Sequence, residues 1–245
     1  MTSPIYAIGD IHGQLGMLQL ALSRIEADGG PDARVVFLGD YVDRGPDSKA
    51  VLDLLIDGQR AGRNWIMVKG NHDRMFARFV QDCEIADKHL PITLSWLHPR
   101  LGGRETLASY GVEVVDNDRI FQVNERARAA VPPAHIDFIN TLPLYHQEGE
   151  LLFVHAGIRP GISLEQQSED DLVWIRREFL METEPHPWLV VHGHTPVDAA
   201  EHCGNRINLD AGAGYGRSLA VAVFEGRQCW LLTQNGRVPL KPIFG

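Results

Sequence analysis

Three observations predict an α/β fold. Within residues 5–80, short apolar runs alternate with helical patterns three times, as in a parallel strand–helix unit. After residue 142, apolar runs follow one another with turn residues between them, which adds strands. Five of the apolar runs end in Asp, His or Asn, and such ends gather on one sheet edge, where α/β folds hold their ligands.

Ile5 to Ile8 is the first predicted strand, and it breaks at Gly9-Asp10-Ile11-His12-Gly13. Leu15, Leu18, Leu20, Leu22 and Ile25 then predict an amphipathic helix, closed by Asp28-Gly29-Gly30. Arg34 to Leu38 is the second strand. It delivers Gly39-Asp40-Tyr41-Val42-Asp43-Arg44-Gly45, two carboxylates and an arginine that make a poor core and a suitable site. Ser48 is placed to cap a second helix, with Val51, Leu54 and Leu55 at helical spacing. Trp65 to Val68 is the third strand. It ends in Gly70-Asn71-His72-Asp73, and Arg74 to Val80 continues as helix.

Periodicity weakens from Gln81 to Glu125, a span that holds Trp96, His98, Gly102-Gly103 and Tyr110. It is predicted as an insertion or cap beside the active edge. Pro132-Pro133 opens a helix to about Asn140. Leu142 to His146 and Leu151 to His155 flank a Glu148-Gly149 turn, a hairpin signal, and the second run leads into Ala156-Gly157. Asp170 to Phe179 is predicted helical. Trp188 to Val191 is a strand ending in His192-Gly193-His194-Thr195-Pro196. Arg206 to Leu209, Leu219 to Phe224 and Gln228 to Leu232 complete the β-rich end, with turns at Gly226 and Asn235-Gly236. No repeat or linker appears, so residues 1–245 are expected to be one domain with 81–125 a cap within it.

Composition narrows the partners. The 44% hydrophobic content allows a sizeable core. A net charge of −9 argues against nonspecific binding to nucleic acid or anionic membrane. Phosphate-bearing substrates stay compatible, because bound cations reverse the local field. No apolar run approaches the roughly 20 residues that span a bilayer. Met1-Thr2-Ser3-Pro4 leads into a strand without a basic-then-apolar leader. Cys83, Cys203 and Cys229 form no zinc pattern and no disulfide framework, which predicts a reducing cytoplasm.

The strand-end donors are oxygen and nitrogen without sulfur. Carboxylate and imidazole suit Mn, Fe, Zn, Co or Ni rather than calcium alone. Asp10, His12, Asp40, Asn71, His155 and one of His192 or His194 are too many for one ion. Spacing leaves those last two open, since a strand puts both on one face. Two ions sharing a carboxylate would use the set, and two metals about 3.5–4 Å apart are the usual device for hydrolysing phosphate esters. Two divalent ions against the charges of Asp10 and Asp40 leave an excess that attracts a phosphate dianion, even with a bridging hydroxide.

In their order and spacing, Gly-Asp-x-His-Gly at 9–13, Gly-Asp-x-Val-Asp-Arg-Gly at 39–45 and Gly-Asn-His-Asp at 70–73 resemble the signature of the phosphoprotein phosphatase family of calcineurin-like metallophosphoesterases. His155 and Gly-His-Thr-Pro at 193–196 resemble the later metal histidines of its bacterial and phage members. The resemblance covers residues 5 to about 225. It implies an αββα fold, a β-sandwich flanked by helices with a dinuclear metal site at the loop edge, in place of a simple doubly wound sheet. It implies Asp10 and His12 on the first metal, Asp40 as the bridge, and Asn71, His155 and His194 on the second, with His192 structural. His72 resembles the general acid for the leaving oxygen, and Asp43 the carboxylate that orients it. Arg44 resembles a phosphate clamp and Arg176 a second, with Arg177 as its rival. Lys69 stands where phage relatives often carry Arg. Asp210 either orients a metal histidine or forms a turn. Manganese is the expected cofactor ion, with Fe, Zn, Co or Ni as alternatives.

The expected activity is hydrolysis of phosphate monoesters, phosphoserine or phosphothreonine in proteins, by attack of a metal-bridging hydroxide. The alternative is a symmetrical bis(5'-nucleosyl)-tetraphosphatase, a diadenosine tetraphosphate hydrolase. A non-catalytic metal-holding module is a third reading, disfavoured by the complete donor set. Asp43 weighs toward the first, because bacterial tetraphosphatases resembling this family usually read Val-Ala-Arg-Gly there. Gly102-Gly103, Thr106 and Tyr110 also resemble bacterial protein phosphatases. Asp73 departs from the Gly-Asn-His-Glu common in eukaryotic protein phosphatases. The expected partner is a phosphorylated protein or small phosphoester, with neither nucleic acid nor membrane.

Overall fold

The computed structural model describes residues 3–243. The chain opens with β1 (Ile5–Ile8), α1 (Leu15–Gly29), β2 (Arg34–Phe37), α2 (Ser48–Arg60), β3 (Trp65–Met67) and α3 (Asn71–Asp82). Three helices follow: α4 (Gly103–Ser109), α5 (Ile120–Ala130) and α6 (Pro133–Thr141). The second half holds β4 (Tyr145–Glu148), β5 (Leu151–Val154), α7 (Glu169–Trp174), α8 (Arg177–Leu180), β6 (Leu189–His192), β7 (Glu201–His202) and β8 (Arg206–Asn208). It closes with β9 (Val221–Glu225), β10 (Gln228–Thr233) and β11 (Gly236–Pro239).

The strands build two sheets, in the orders β11-β10-β9-β1-β2-β3 and β4-β5-β6-β8-β7. The pairs β1–β2 and β2–β3 are parallel, so each connection must cross over the sheet, and α1 and α2 supply the crossovers. Side chains alternate along a strand, and here both faces are apolar. Ile5, Ala7, Val36 and Leu38 pack against Phe153, Leu189, Val191 and Ile207 of the other sheet. Tyr6, Ile8, Val35 and Phe37 face the α1–α6 side with Leu18, Val51 and Leu55. Leu152, Val154 and Val190 turn outward to meet Leu172, Ile175 and Phe179. The result is the expected αββα sandwich, and not a doubly wound sheet.

Local features refine the sequence expectation. Residues 170–179 do not form one helix. Leu172, Ile175 and Phe179 have helical spacing, but Ile175 (φ −56°, ψ 141°) and Arg176 (φ −132°, ψ −88°) break it between α7 and α8. Ser48 is the first residue of α2, not its cap, and its hydroxyl accepts from Asp43 N at 3.1 Å. The span after α3 is anchored: Trp96 is fully buried, its ring 4.8 Å from Phe79 and 5.9 Å from Phe76. The last strand, β11, carried too little apolar pattern to be expected. No helix among the described residues is long and apolar enough to cross a membrane.

Candidate active site

The loops after β1, β2, β3, β5 and β6 meet at one edge of the sandwich. Their backbone is strained. Six non-glycine residues among those described have positive φ, and five belong to these loops: His12 (47°), Asp40 (53°), Asp43 (73°), Arg44 (67°) and His194 (66°). Such conformations cost of order 1–3 kcal/mol each and persist where surrounding contacts over-determine them. Some of those contacts are visible. Ile11 N and His12 N both donate to Asp40 O, at 3.1 and 2.8 Å. Asp73 accepts from Asp40 N (2.9 Å), Tyr41 N (2.8 Å) and Gly70 N (2.9 Å), tying the second loop to the third. Glycine is required where chains touch: a Cβ at Gly70 would strike Asp40 Oδ1, and one at Gly193 would strike Asp10 Oδ1.

Two donor triads converge here, His12–Asp40–His72 and Asp40–His155–His194, all buried. Asp40 belongs to both. Backbone carbonyls orient two of the rings: His12 Nδ1 lies 2.8 Å from Val42 O, and His155 Nδ1 lies 2.8 Å from Leu38 O. Each bond holds the proton on Nδ1 and turns a bare Nε2 inward. His12 Nε2 lies 3.5 Å from Asp40 Oδ2, and His155 Nε2 lies 3.4 Å from Asp40 Oδ1. Asn71 Oδ1 is 2.9 Å from His155 Nε2 and 2.8 Å from His194 Nδ1. His194 Nε2 is buried without a partner. Apart from His72 N, which donates to Asp40 Oδ1 at 2.9 Å, and Arg44, which reaches His12 Nε2, acceptor atoms here face one another.

Burial drives these groups toward their neutral forms. It pushes Asp10 well above the usual carboxylate range, helped by the charges of Asp210 and Asp40. Burial raises Asp40 to about 7 despite Arg44. It lowers His155 to about 4, and lowers His12 and His194 with the help of Arg44 and Arg176 respectively. Neutral imidazoles are the ligating form, and crowded buried carboxylates lack counter-charge. The donor set fits two divalent cations sharing Asp40, and the triads form a dinuclear site.

Asp10 lies outside both triads. Its carboxylate accepts from His194 N at 3.2 and 3.0 Å. His192 lies apart from the cluster, in β6, with its ring 5.0 Å from Phe179. The strand-period argument put it on one face with His194, but His194 follows the strand in a left-handed conformation that turns its ring to the site. Asp210 Oδ1 accepts from Gly212 N at 3.0 Å, the turn-forming geometry. Lys69 does not line the cleft.

His72 and Asp43 are in contact, with Nδ1 2.6 Å from Oδ2. Burial pushes Asp43 up, against the hydrogen bonds of Thr106 and Trp96, and burial with Arg44 pushes His72 down. These directions describe a pair holding one proton between them. Trp96 Nε1 donates to Asp43 Oδ2 (2.8 Å) and Thr106 Oγ1 to Asp43 Oδ1 (2.6 Å). Sequence reasoning missed both roles. The sequence marks Thr106 only through its family resemblance, and pairs 53 and 63 residues apart carry no local signal. Arg44 donates to His72 Nε2 at 3.0 Å and touches His12 Nε2, and its guanidinium lies 4.8 Å over the Tyr215 ring. The cleft above, of about 310 Å³, is lined by Arg44, Asn71, His72, His194 and also Arg176. Arg177 is not in its lining.

Comparison with known proteins completes the picture. The calcineurin-like phosphoesterase model matches residues 3–221. A curated relative from Anoxybacillus flavithermus, bis(5'-nucleosyl)-tetraphosphatase PrpE [asymmetrical], is 25% identical over 86% of each chain. Among solved structures, a putative diadenosine tetraphosphatase superposes with TM-score 0.64 at 22% identity, covering 98% of this chain and 95% of that one. A cold-active protein-tyrosine phosphatase of a psychrophile Shewanella scores 0.63 at 16% identity, covering 98% of this chain and 81% of that one. These structures share the fold and do not select a substrate. The sequence relatives do correct two expectations: the placement among serine/threonine phosphoprotein phosphatases, and the phosphoserine or phosphothreonine substrate drawn from it. The reason is physical. The short motifs build a metal centre and an acid pair that act on a phosphoryl group, whatever is attached to it.

Proposed function

The chain belongs to the calcineurin-like phosphoesterase family, as a metal-binding hydrolase, and from that premise we propose that it hydrolyses bis(5'-nucleosyl) tetraphosphates. One observation carries the substrate: relatives that align over 86% or more of this chain bear the tetraphosphatase name. That name adds "asymmetrical", so the proposed cut is off-centre and gives unequal products, where the sequence alternative was symmetrical. The retained Asp43 is no obstacle. An acid pair assists any leaving oxygen that carries charge, including a nucleotide phosphate.

The two ions, which we propose are manganese, would be held by His12, Asp40, Asn71, His155 and His194, with Asp10 close by. When bound they polarise phosphoryl oxygens and lower the pKa of a shared water. The chain's own groups do the rest. Arg44 and Arg176 grip phosphoryl oxygens, whose charge shifts in the transition state. A phosphate that engages the Arg44 guanidinium releases His72 Nε2 and offsets the positive charge that depresses its pKa. His72 Nε2, so freed, takes up a proton from solvent and delivers it to the leaving oxygen, while Asp43 holds Nδ1–H. Trp96 and Thr106 keep Asp43 from rotating.

The test is one manganese-loaded preparation offered diadenosine tetraphosphate and a phosphoserine peptide. We expect kcat/KM to favour the dinucleotide tenfold or more, about 1.4 kcal/mol in the barrier, with unequal nucleotide products by chromatography. A tenfold preference for the peptide would overturn the substrate. Two equal nucleoside diphosphates would overturn the off-centre cut.

A further inference from the structure

Beside the metal cleft lies a second, larger cavity of about 580 Å³, within the range of small-molecule sites. Leu90, Leu94, Arg100, Trp174 and Arg176 line both, so the two are one groove with a waist. Two arginines stand at that waist. Of the other charges around the second cavity, Arg177 and Glu178 are exposed and in no ion pair among the described residues, and the rest are committed. Arg159 holds Asp171 at 2.6 Å. Asp170 is held by Arg74 at 2.9 Å, by His89 at 3.3 Å and by Lys88. Arg100 and Arg176 have no carboxylate partner within ion-pair distance among the described residues, and both are exposed.

One wall of the second cavity is apolar and aromatic. Leu90, Pro91, Leu94 and Ile175 line it. The His89 ring stacks on Trp174, with centroids 5.5 Å apart and planes at 21°, and remains partly exposed. An aromatic face, an aliphatic wall and two free guanidinium groups on the side toward the metals match a nucleoside followed by phosphates. A flat base buries apolar area against such a wall, and phosphate oxygens pair with the arginine forks.

We propose that this second cavity is a nucleoside subsite. The base lies against His89 and the Leu90–Pro91–Leu94 wall, and Arg100 with Arg176 holds the phosphates that lead to the scissile one. This rests on the dinucleotide reading and deepens it. A nucleoside anchored on one side fixes a distance to the metals, so the cut falls at a set phosphate from that end.

The experiment compares Arg100→Ala and His89→Ala with wild type on diadenosine tetraphosphate and on p-nitrophenyl phosphate. Titration calorimetry measures adenosine diphosphate binding in parallel. We expect the dinucleotide-to-aryl ratio of kcat/KM to fall at least tenfold in each variant, and adenosine diphosphate to bind at least fivefold more weakly. A ratio unchanged in both variants would overturn the subsite. A wild-type protein that cleaves the aryl phosphate and leaves the dinucleotide intact would overturn the proposed function instead. Calorimetry then still judges the cavity: weaker adenosine diphosphate binding in the variants supports it, and equal binding sinks it.

Discussion

The first strand carries a polar cluster toward each end. Toward its N-terminal end, Tyr6 donates to Asp28 Oδ2 at 2.7 Å, and Arg237 Nε reaches both Asp28 oxygens at 3.1 and 2.9 Å. Arg237 also donates to Glu225 at 2.5 Å. Every carboxylate oxygen of Asp28 meets a donor. Past the C-terminal end lie Asp10, His12, Asp40, Asn71, His155 and His194, where lone pairs face lone pairs and one imidazole nitrogen has no partner. Both clusters hold carboxylates, but an arginine and a tyrosine meet those of the first while imidazoles and an amide oxygen crowd those of the second, so the difference is closure. A structural cluster completes its own hydrogen bonds, whereas a buried cluster left short of positive charge is completed by a ligand.

The largest expected effect breaks the open cluster outright. Chelation should abolish turnover, and Asp40→Asn should lose metal and activity together, because one side chain serves both triads. Metal content by mass spectrometry and turnover on the same sample check this. A variant that keeps two ions and full rate would erase the contrast between the clusters.

Next is His72→Asn, expected to lower kcat about 10²–10⁴-fold while both ions remain bound. His72 stands in a donor triad, so the metal count is the sharper readout: loss of an ion would make it a ligand instead of an acid. The rate loss should shrink on aryl phosphates, whose leaving groups need little protonation.

A smaller loss is expected from Arg176→Ala, about 10–100-fold in kcat/KM, the size of a hydrogen bond to a charged group. Arg177→Ala should change it little, because Arg176 alone of the two lines the metal cleft. The reverse result would assign the phosphate to Arg177.

The smallest effect belongs to the closed cluster. Asp28→Asn should leave turnover unchanged and cost no more than about 1 kcal/mol of stability, since the pair is partly solvated. Hydrogen bonds from Arg237 and Tyr6 hold the Asp28 carboxyl below its usual range against the opposing effect of burial. A folded pKa below the unfolded value, about 3.9, stabilises above that value and is lost as pH falls through the folded one. Melting curves of wild type and variant should therefore differ near neutrality and converge in acid. A gap that widens in acid would reverse the sign.

What the sequence determined alone is local. A parallel strand ends, the chain must turn, and Gly-Asp, Gly-Asn-His or Gly-His at that turn shows where donors are delivered. Strand period and turn chemistry act over a few residues, so the order of β1, β2 and β3, the hairpin at Gly149 and the donor-bearing loops were legible. The tertiary structure decided what depends on distant pairs or on a single backbone angle. It separated His194 from His192 through a left-handed turn that strand periodicity does not contain. It broke the helix at Ile175, burying that side chain in the outer core and leaving Arg176 at the groove. It brought Trp96 and Thr106 onto Asp43, and Asp73 onto the backbone after β2. It also opened a second cavity beside the first, formed by side chains from 89 to 178 that no motif links. Substrate choice resides in such walls, because a metal centre recognises the phosphoryl group and only the surrounding surface meets what is attached to it.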